Sequence, residues 1–286
     1  YVPQTDTYIE KDSAVNDDLD RLRLSATSSL LSRRDTIIVA SVSCIYNLGD
    51  PAEYRNQMVW ITKEKPVRRD ELLSWLIGIH YTRNAVAFGR GTFRARGDVV
   101  DIFPAYRQTA NRIILEGDRI VRIQEINPIT NDPTGELEQL AIYPAKHFLT
   151  DKEQITSALE LIRQEMVETV RNFQAAGKLL EAQRLESRTK YDLDMLKELG
   201  YCHGVENYSR PLSGRPPGSR PFCLIDYFPK DFLMVIDESH VSVPQIRGMY
   251  AGDRARKETL VEYGFRLPSA LDNRPQTFEE FESLMR

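Results

Sequence analysis

The stretch FLMVIDESHV, residues 232–241, decides how this sequence is to be read. Phe232 to Ile236 is an uninterrupted apolar run that stops at two adjacent carboxylates, Asp237 and Glu238. A buried parallel strand delivers acids to the edge of a sheet in this way. Nucleotide-hydrolysing motors use such a pair, the Asp to hold Mg²⁺ and the Glu to orient or deprotonate the attacking water. The alternative is a strand that simply ends at solvent in two charges. The motor reading needs a phosphate cradle, a glycine-rich loop ending in Gly-Lys-Ser/Thr, and no such string occurs in the 286 residues. The nearest, Ala175-Ala176-Gly177-Lys178-Leu179, lacks both the spacing and the hydroxyl. On the motor reading, the chain presents half of a nucleotide site.

Working outward, the length allows two domains of ordinary size, and 41% hydrophobic with 28% charged residues is normal for a globular protein with a real core. Lys plus Arg total 38 against 42 Asp plus Glu, so the net charge of −4 carries no global signal for nucleic acid, and any basic site must be local. No apolar run approaches the roughly 18 residues needed to span a bilayer. Cys44, Cys202 and Cys223 are scattered, without paired spacing, which suits a reducing cytoplasm better than a disulfide framework or a zinc site. The first residue is Tyr rather than Met, and the last lie inside an acidic helical pattern, so the chain reads as a piece of something longer.

Asp17 to Arg33 reads as a helix, with Leu19, Leu22, Ala26 and Leu30 at helical spacing and Asn16 as a cap. Residues 36–42, TIIVASV, read as a buried strand ending at the turn chemistry of Asn47-Leu48-Gly49-Asp50-Pro51. The character then changes. A short strand near Met58 to Thr62 and a helix from Asp70 to His80 precede β segments 93–96, 99–103, 112–116 and 119–123, joined by Gly97-Asp98 and Gly117-Asp118, which favour hairpins. Asn131 to Gly135 reads as a turn before a last strand, Glu138 to Tyr143. Residues 52–147 thus look like an α+β module inserted between parts of another domain. Beyond Thr150, Ile155, Leu159, Ile162, Met166, Val170 and Phe173 form one helical stripe, Ala176-Gly177 breaks it, and Leu185, Leu193, Leu196 and Leu199 mark a second helix ending at Gly200.

Two further constellations carry chemistry. Arg83, Arg90, Arg94 and Arg96 are four cations without an intervening acid, and Arg94 and Arg96, two apart on a strand, share one face while Phe93 and Ala95 take the other. This is either a solvated strand face or an electrostatic docking patch for acidic protein or phosphate. At the start, YVPQTDTYIEKD places Tyr1 and Tyr8 in an extended polar segment, where aromatic rings can stack on bases or wedge between strands, or can be ordinary exposed tyrosines.

Together these strings resemble one family. YVPQTDTYIEKD, RRDTIIVASVSCIYNLGDPAEY, RGTFRARGDVVDIFPA, GKLLEAQRLESRTKYDLDML, GVENYSRPL, LIDYFPKDFLMVIDESHV and PQIRGMYAGDRARKETLVEYGFRLPSALDNRP are similar to the UvrB family of the bacterial UvrABC excinuclease, along essentially the whole chain. That family is the damage-verifying, helicase-like component of nucleotide excision repair.

The resemblance implies an α/β fold: a partial, interrupted P-loop helicase-like core with an inserted α+β domain and a helical hairpin. It implies three regions. Residues 1–51 belong to the helicase-like domain and hold the remnant of a DNA-probing β-hairpin, 52–147 dock on UvrA, the excinuclease component that partners this family, and 148–286 hold the helical hairpin and the DESH motif. The family's P-loop precedes the point matching Tyr1 and its third to sixth helicase motifs follow Arg286, so the missing half-site is explained and no autonomous ATP hydrolysis is expected. Asp237 and Glu238 match the second helicase motif, Asp237 holding Mg²⁺ through ATP in the intact protein only; neither ATP nor Mg²⁺ is expected to bind this chain tightly.

The same resemblance places Tyr1 and Tyr8 at the hairpin's aromatic positions and Ser43, within the string Ser41 to Cys44, beside the DNA path. It makes Lys11 and Asp12 with Arg188 and Glu206 the ion pairs that anchor the hairpin base, and Arg83, Arg90, Arg94 and Arg96 the docking arginines. Tyr1 to Asp12, half a hairpin, is expected to be poorly ordered. The partners implied are UvrA, damaged DNA and, in the intact protein, the excinuclease component UvrC, in the cytoplasm and without a membrane. Phe222 and Cys223 depart from the commoner family wording, Tyr and Thr. A protein-interaction adapter with a vestigial acidic pair is the reading of a different class; partner binding without DNA binding would favour it.

Overall fold

The computed structural model describes residues 1, 3–5, 7–8, 16–147 and 152–285. The chain divides into two compact units, one of residues 14–38 and 51–149, the other of residues 1–13, 39–50 and 150–286.

In the first unit, helix α1 (Asp17–Ser32) starts where Asn16 accepts the Leu19 N–H at 3.1 Å, as the cap predicts. Its buried face is Leu24, Thr27, Ser28 and Leu30, whereas Leu19 and Leu22 are exposed. The predicted stripe is therefore rotated: two small hydroxyl residues, which periodicity counts as polar, sit inside because Thr27 and Ser28 return their hydroxyls to helix carbonyls. There follow α2 (Pro51–Asn56), β1 (Val59–Thr62), α3 (Arg69–Gly78), β2 (Thr82–Arg83), β3 (Thr92–Arg96), β4 (Val99–Phe103), β5 (Ala110–Glu116), β6 (Arg119–Ile126), β7 (Pro133–Leu137) and β8 (Gln139–Ile142). Strands β2 to β7 make a six-stranded sheet in chain order, antiparallel except for the β2–β3 pair, while β8 pairs with β1 in a separate two-stranded sheet.

Period-2 alternation sends Phe93, Val100, Ile102, Ile113 and Ile123 to one face, where they close a core with Leu72, Leu73 and Leu76 of α3. Gly97 and Gly117 take the left-handed conformation (φ 56° and 59°) that tight hairpin connections require. Buried phenols are satisfied by backbone: Tyr81 donates to the Tyr143 carbonyl at 3.1 Å and Tyr106 to that of Ala141 at 3.0 Å, and burial pushes the Tyr106 hydroxyl up to about 12. The predicted turn at 131–135 is corrected in part. Asn131 turns the chain (φ 66°), but Pro133–Leu137 is a strand, which tolerates its proline because β7 lies at the sheet edge.

The second unit is built on α4 (Lys152–Ala175) and α5 (Leu179–Leu199), the predicted helical hairpin. Ala158, Ile162, Met166 and Val170 of α4 are buried, as are Leu185, Leu193 and Leu196 of α5. Gly177 (φ 74°) makes the break, and Gly200 ends α5 in the left-handed conformation with its N–H on the Leu196 carbonyl at 2.9 Å. After α6 (Ser209–Leu212) come α7 (Ser239–Glu262) and α8 (Phe278–Leu284), the last started by a reciprocal Thr277–Glu280 capping box. Ile45, Cys223, Ile225, Ile246 and Phe281 form a second core.

Two strand expectations are corrected. Residues 232–236 are extended and alternate, with Phe232, Met234 and Ile236 against this core, yet among the described residues they enter no ladder. Leu233 and Val235 remain 87% and 82% exposed. Residues 36–41 likewise belong to no strand, Ile37 and Val39 are exposed, and Val42–Ile45 is a 3₁₀ turn. A strand is defined by the neighbours that take its N–H and C=O groups, and among the described residues neither segment pairs with a neighbouring strand.

Candidate functional site

Asp237 and Glu238 stand where the extended segment meets α7. Glu238 takes the left-handed conformation at φ 44°, a costly state for a residue with a side chain. Its carboxylate lies 3.4 Å from His240 Nδ1, while Asp237 Oδ1 accepts the Glu238 N–H at 2.9 Å and the Asp237 carbonyl accepts from Ser242 Oγ at 3.0 Å. Both acids face solvent. Among the described residues no three His, Cys, Asp or Glu side chains are grouped to hold a metal. The pair fits the metal-facing part of a Mg²⁺–nucleotide site, and this sequence offers no phosphate cradle to complete one.

Tyr1 and Tyr8 come together on one ring. Tyr8 stacks on Phe265 with centroids 4.8 Å apart and planes at 24°, and Tyr1 meets Phe265 at 4.8 Å and Tyr263 at 5.0 Å. The Arg184 guanidinium lies 4.1 Å from the Phe265 centroid and donates to the Tyr263 carbonyl at 2.9 Å. Gly264, between the two aromatics, must be glycine: its φ is 71° and a Cβ there would collide with the Glu181 backbone of α5. The expectation about order over residues 1–12, and the anchoring residues Lys11 and Asp12, lie largely or wholly outside the described residues. Arg188 is engaged within its own unit, Nε on Asp192 at 3.0 Å and Nη2 on the His203 carbonyl at 3.2 Å, and Glu206 sits half-buried in a 3₁₀ turn nearby in sequence. Ser43 is exposed, its hydroxyl 2.5 Å from that of Ser41.

The four arginines are not one patch. Arg94 faces Asp101 across β3–β4, and Asp101 faces Arg112 across β4–β5. Arg94 Nε reaches Asp101 at 2.9 Å and Arg112 Nε reaches it at 2.7 Å, so one buried carboxylate holds two guanidiniums. Arg94 also covers the Phe88 ring at 4.3 Å and donates to Asn131. Arg96 shares its face, as the pleat predicts, and is exposed; Arg90 lies 3.5 Å from Asp18 of α1; Arg83 is in register with Phe93, on the other side of the pleat. Sequence reasoning passed over Asp101, Phe88 and Phe265. For Asp101 the signal was available, an acid in the apolar run VVDIF; for Phe265 and its Arg184 there is none, because their meeting is tertiary.

Cys202 and Cys223 are buried and free, and burial pushes both thiols up to about 12, which favours the protonated thiol. Among the described residues no helix is long and apolar enough to cross a membrane.

Comparison with known proteins identifies two domains: residues 59–148 match the UvrB interaction domain and residues 153–214 the UvrB third helical domain. The chain is 60% identical over 285 residues to UvrABC system protein B of Gemmatimonas aurantiaca, covering all of this chain and 41% of that protein. It is 59% identical to that of Natranaerobius thermophilus, of which it covers 44%, and 57% identical to that of Bacillus subtilis, of which it covers 43%. The chain thus spans about two fifths of the length of the curated relatives it matches.

Proposed function

The chain belongs to the UvrB family, and from that premise we propose that it acts within the damage-recognition component of the UvrABC nucleotide excision repair system. In this reading residues 52–147 dock on UvrA. Residues 1–51, with the tyrosine-bearing start, and 148–286, with the helical hairpin and DESH, contact damaged DNA as parts of a helicase-like core, in the cytoplasm. UvrC is a partner of the longer protein. The observation that carries the reading is the unfinished architecture around DESH: an alternating apolar segment with an exposed Leu233–Val235 edge runs into a strained Glu238 at the head of a helix. A sheet and a phosphate cradle from further chain would complete that arrangement.

Asp237 would then hold the Mg²⁺ of a bound ATP and Glu238 would orient or deprotonate the attacking water; the nucleotide supplies the free energy of hydrolysis when bound. This chain by itself turns over no ATP. Tyr1, Tyr8 and Ser43 are the DNA-contacting candidates, Lys11, Asp12, Arg188 and Glu206 anchor the hairpin, and Arg83, Arg90, Arg94 and Arg96 serve docking.

Docking is tested by capture of the cognate UvrA on the immobilised chain, against an Arg83→Glu/Arg96→Glu variant. These two arginines are exposed, so reversal spares the fold, whereas reversing Arg94 would set a second carboxylate beside buried Asp101. Capture lost in the variant supports docking through 52–147; equal capture sinks the arginine assignment.

A further inference from the structure

Two loops of the interaction domain are built alike. In the loop after β2, Asn84 Oδ1 accepts the N–H groups of Val86 and Ala87 at 3.1 and 2.9 Å. In the loop after β6, Asn127 Oδ1 accepts those of Ile129 and Thr130 at 2.9 and 3.3 Å. Each side chain thereby fixes its own turn, and each turn places a β-branched aliphatic residue two positions beyond the Asn in full solvent: Val86 is 99% and Ile129 87% exposed. Turn tips are ordinarily polar or glycine, since water is their only neighbour.

Both loops converge on one guanidinium. Arg94 lies over Phe88 of the first loop, donates to Asn131 of the second, and is itself held by buried Asp101. Phe88 in turn packs on Phe103, Ala110 and Ile126, so the loops lie on the charged face of the sheet, the face that also presents Arg96. The result is two apolar tips held on pre-formed turns, with guanidiniums of Arg96 and Arg90 on the same domain. Arg90 pairs with Asp18 at 3.5 Å, a solvent-exposed contact that a partner's carboxylate can replace at little cost.

We propose that Val86 and Ile129 are paired apolar prongs of the docking face, seated in two apolar depressions of a partner protein whose rim is acidic, with Arg94 as the positioning residue that sets the loops. The proposal rests on the reading that this domain docks on UvrA and adds to it a non-electrostatic part. Pre-formed turns let the prongs bury without an ordering cost, and burial of two aliphatic side chains gives an interface its central contacts, while the arginines give attraction at a distance.

The test measures the dissociation constant of the chain for the cognate UvrA at two salt concentrations, for the neutral prong variant Val86→Asn/Ile129→Asn and for Arg83→Glu/Arg96→Glu. The prong variant is expected to bind at least about tenfold more weakly at both salts, because the loss is apolar, while the arginine variant's deficit shrinks as salt rises. Val86→Ala/Ile129→Ala should fall between the prong variant and the unmodified chain. If the prong variant binds as the unmodified chain does while the arginine variant fails, the prongs are wrong and docking stands. If the unmodified chain is not captured, docking itself fails and the prongs with it. Sedimentation of the chain alone covers the other occupant: a dimer abolished by the prong variant would overturn the proposal in favour of self-association.

Discussion

The sheet of the interaction domain and the segment 232–236 begin from the same kind of sequence and end in different states. In β3 and β4, Phe93, Val100 and Ile102 are completed on both counts: side chains enter a core and backbone groups enter ladders on both sides. In 232–236 only the first is met. Phe232, Met234 and Ile236 find a core, whereas among the described residues the backbone enters no ladder and Leu233 and Val235 stay in water. Apolar alternation thus fixes which way side chains point, and a strand forms only when neighbouring chain supplies the hydrogen-bond partners.

The largest effect that would break this contrast is in the completed sheet. Phe93 is fully buried, and Phe93→Ala should cost about 3 to 5 kcal/mol in denaturant unfolding of the interaction domain. A cost under about 1 kcal/mol would mean that the sheet core is no better packed than the unfinished segment.

An intermediate effect comes from pH. His147, at the end of the interaction domain, stacks against Tyr54 with centroids 5.6 Å apart and lies 3.1 Å from Thr27 Oγ1. Burial, and to a lesser extent the charge of Arg23, lower its pKa from 6.5 to about 4. The folded-state value is depressed, so the unfolded chain binds the proton first: this contribution is full above about pH 6.5 and is lost as pH falls toward 4. Since the residue is not wholly shielded from solvent, the loss between pH 7.5 and 5 should be about 1 to 2 kcal/mol. His147→Phe should flatten that part of the profile; a wild-type slope in the variant would assign the titration elsewhere.

The smallest effect belongs to the open edge. Leu233→Ser/Val235→Ser should change the stability of this chain by under about 0.5 kcal/mol, because both side chains are already in water. In a longer protein of this family the same pair should cost several times more. Equal, negligible costs in both would sink the proposal that further chain completes a sheet there.

Much of the fold was legible. The hairpins announced themselves because Gly97 and Gly117 permit a backbone that few residues adopt, and the helical hairpin because the stripe of its first helix keeps one period over the length of the element. Of the site, the carboxylate pair and the exposed arginines could be read directly. The Arg94–Asp101 pairing follows from the two-residue Gly97-Asp98 turn, which sets residue 94 opposite 101; the bridge from Arg94 to two separate loops could not be read, nor could the Tyr1–Tyr8–Phe265–Arg184 cluster, whose members lie far apart in the chain and meet only through packing.

By itself the sequence determined what each residue wants locally: where glycine frees the turn, which side chains share a face, where helices start and stop, and which acids end an apolar run. Only the tertiary structure decided which wants were met. It made Pro133–Leu137 a strand by giving it an edge, left Ile37, Val39, Leu233 and Val235 without one, and turned one of four similar arginines into a strut between two loops. The physical reason is that turns and periodicity are settled within a few residues, while ladders and ion pairs depend on which distant segment arrives alongside.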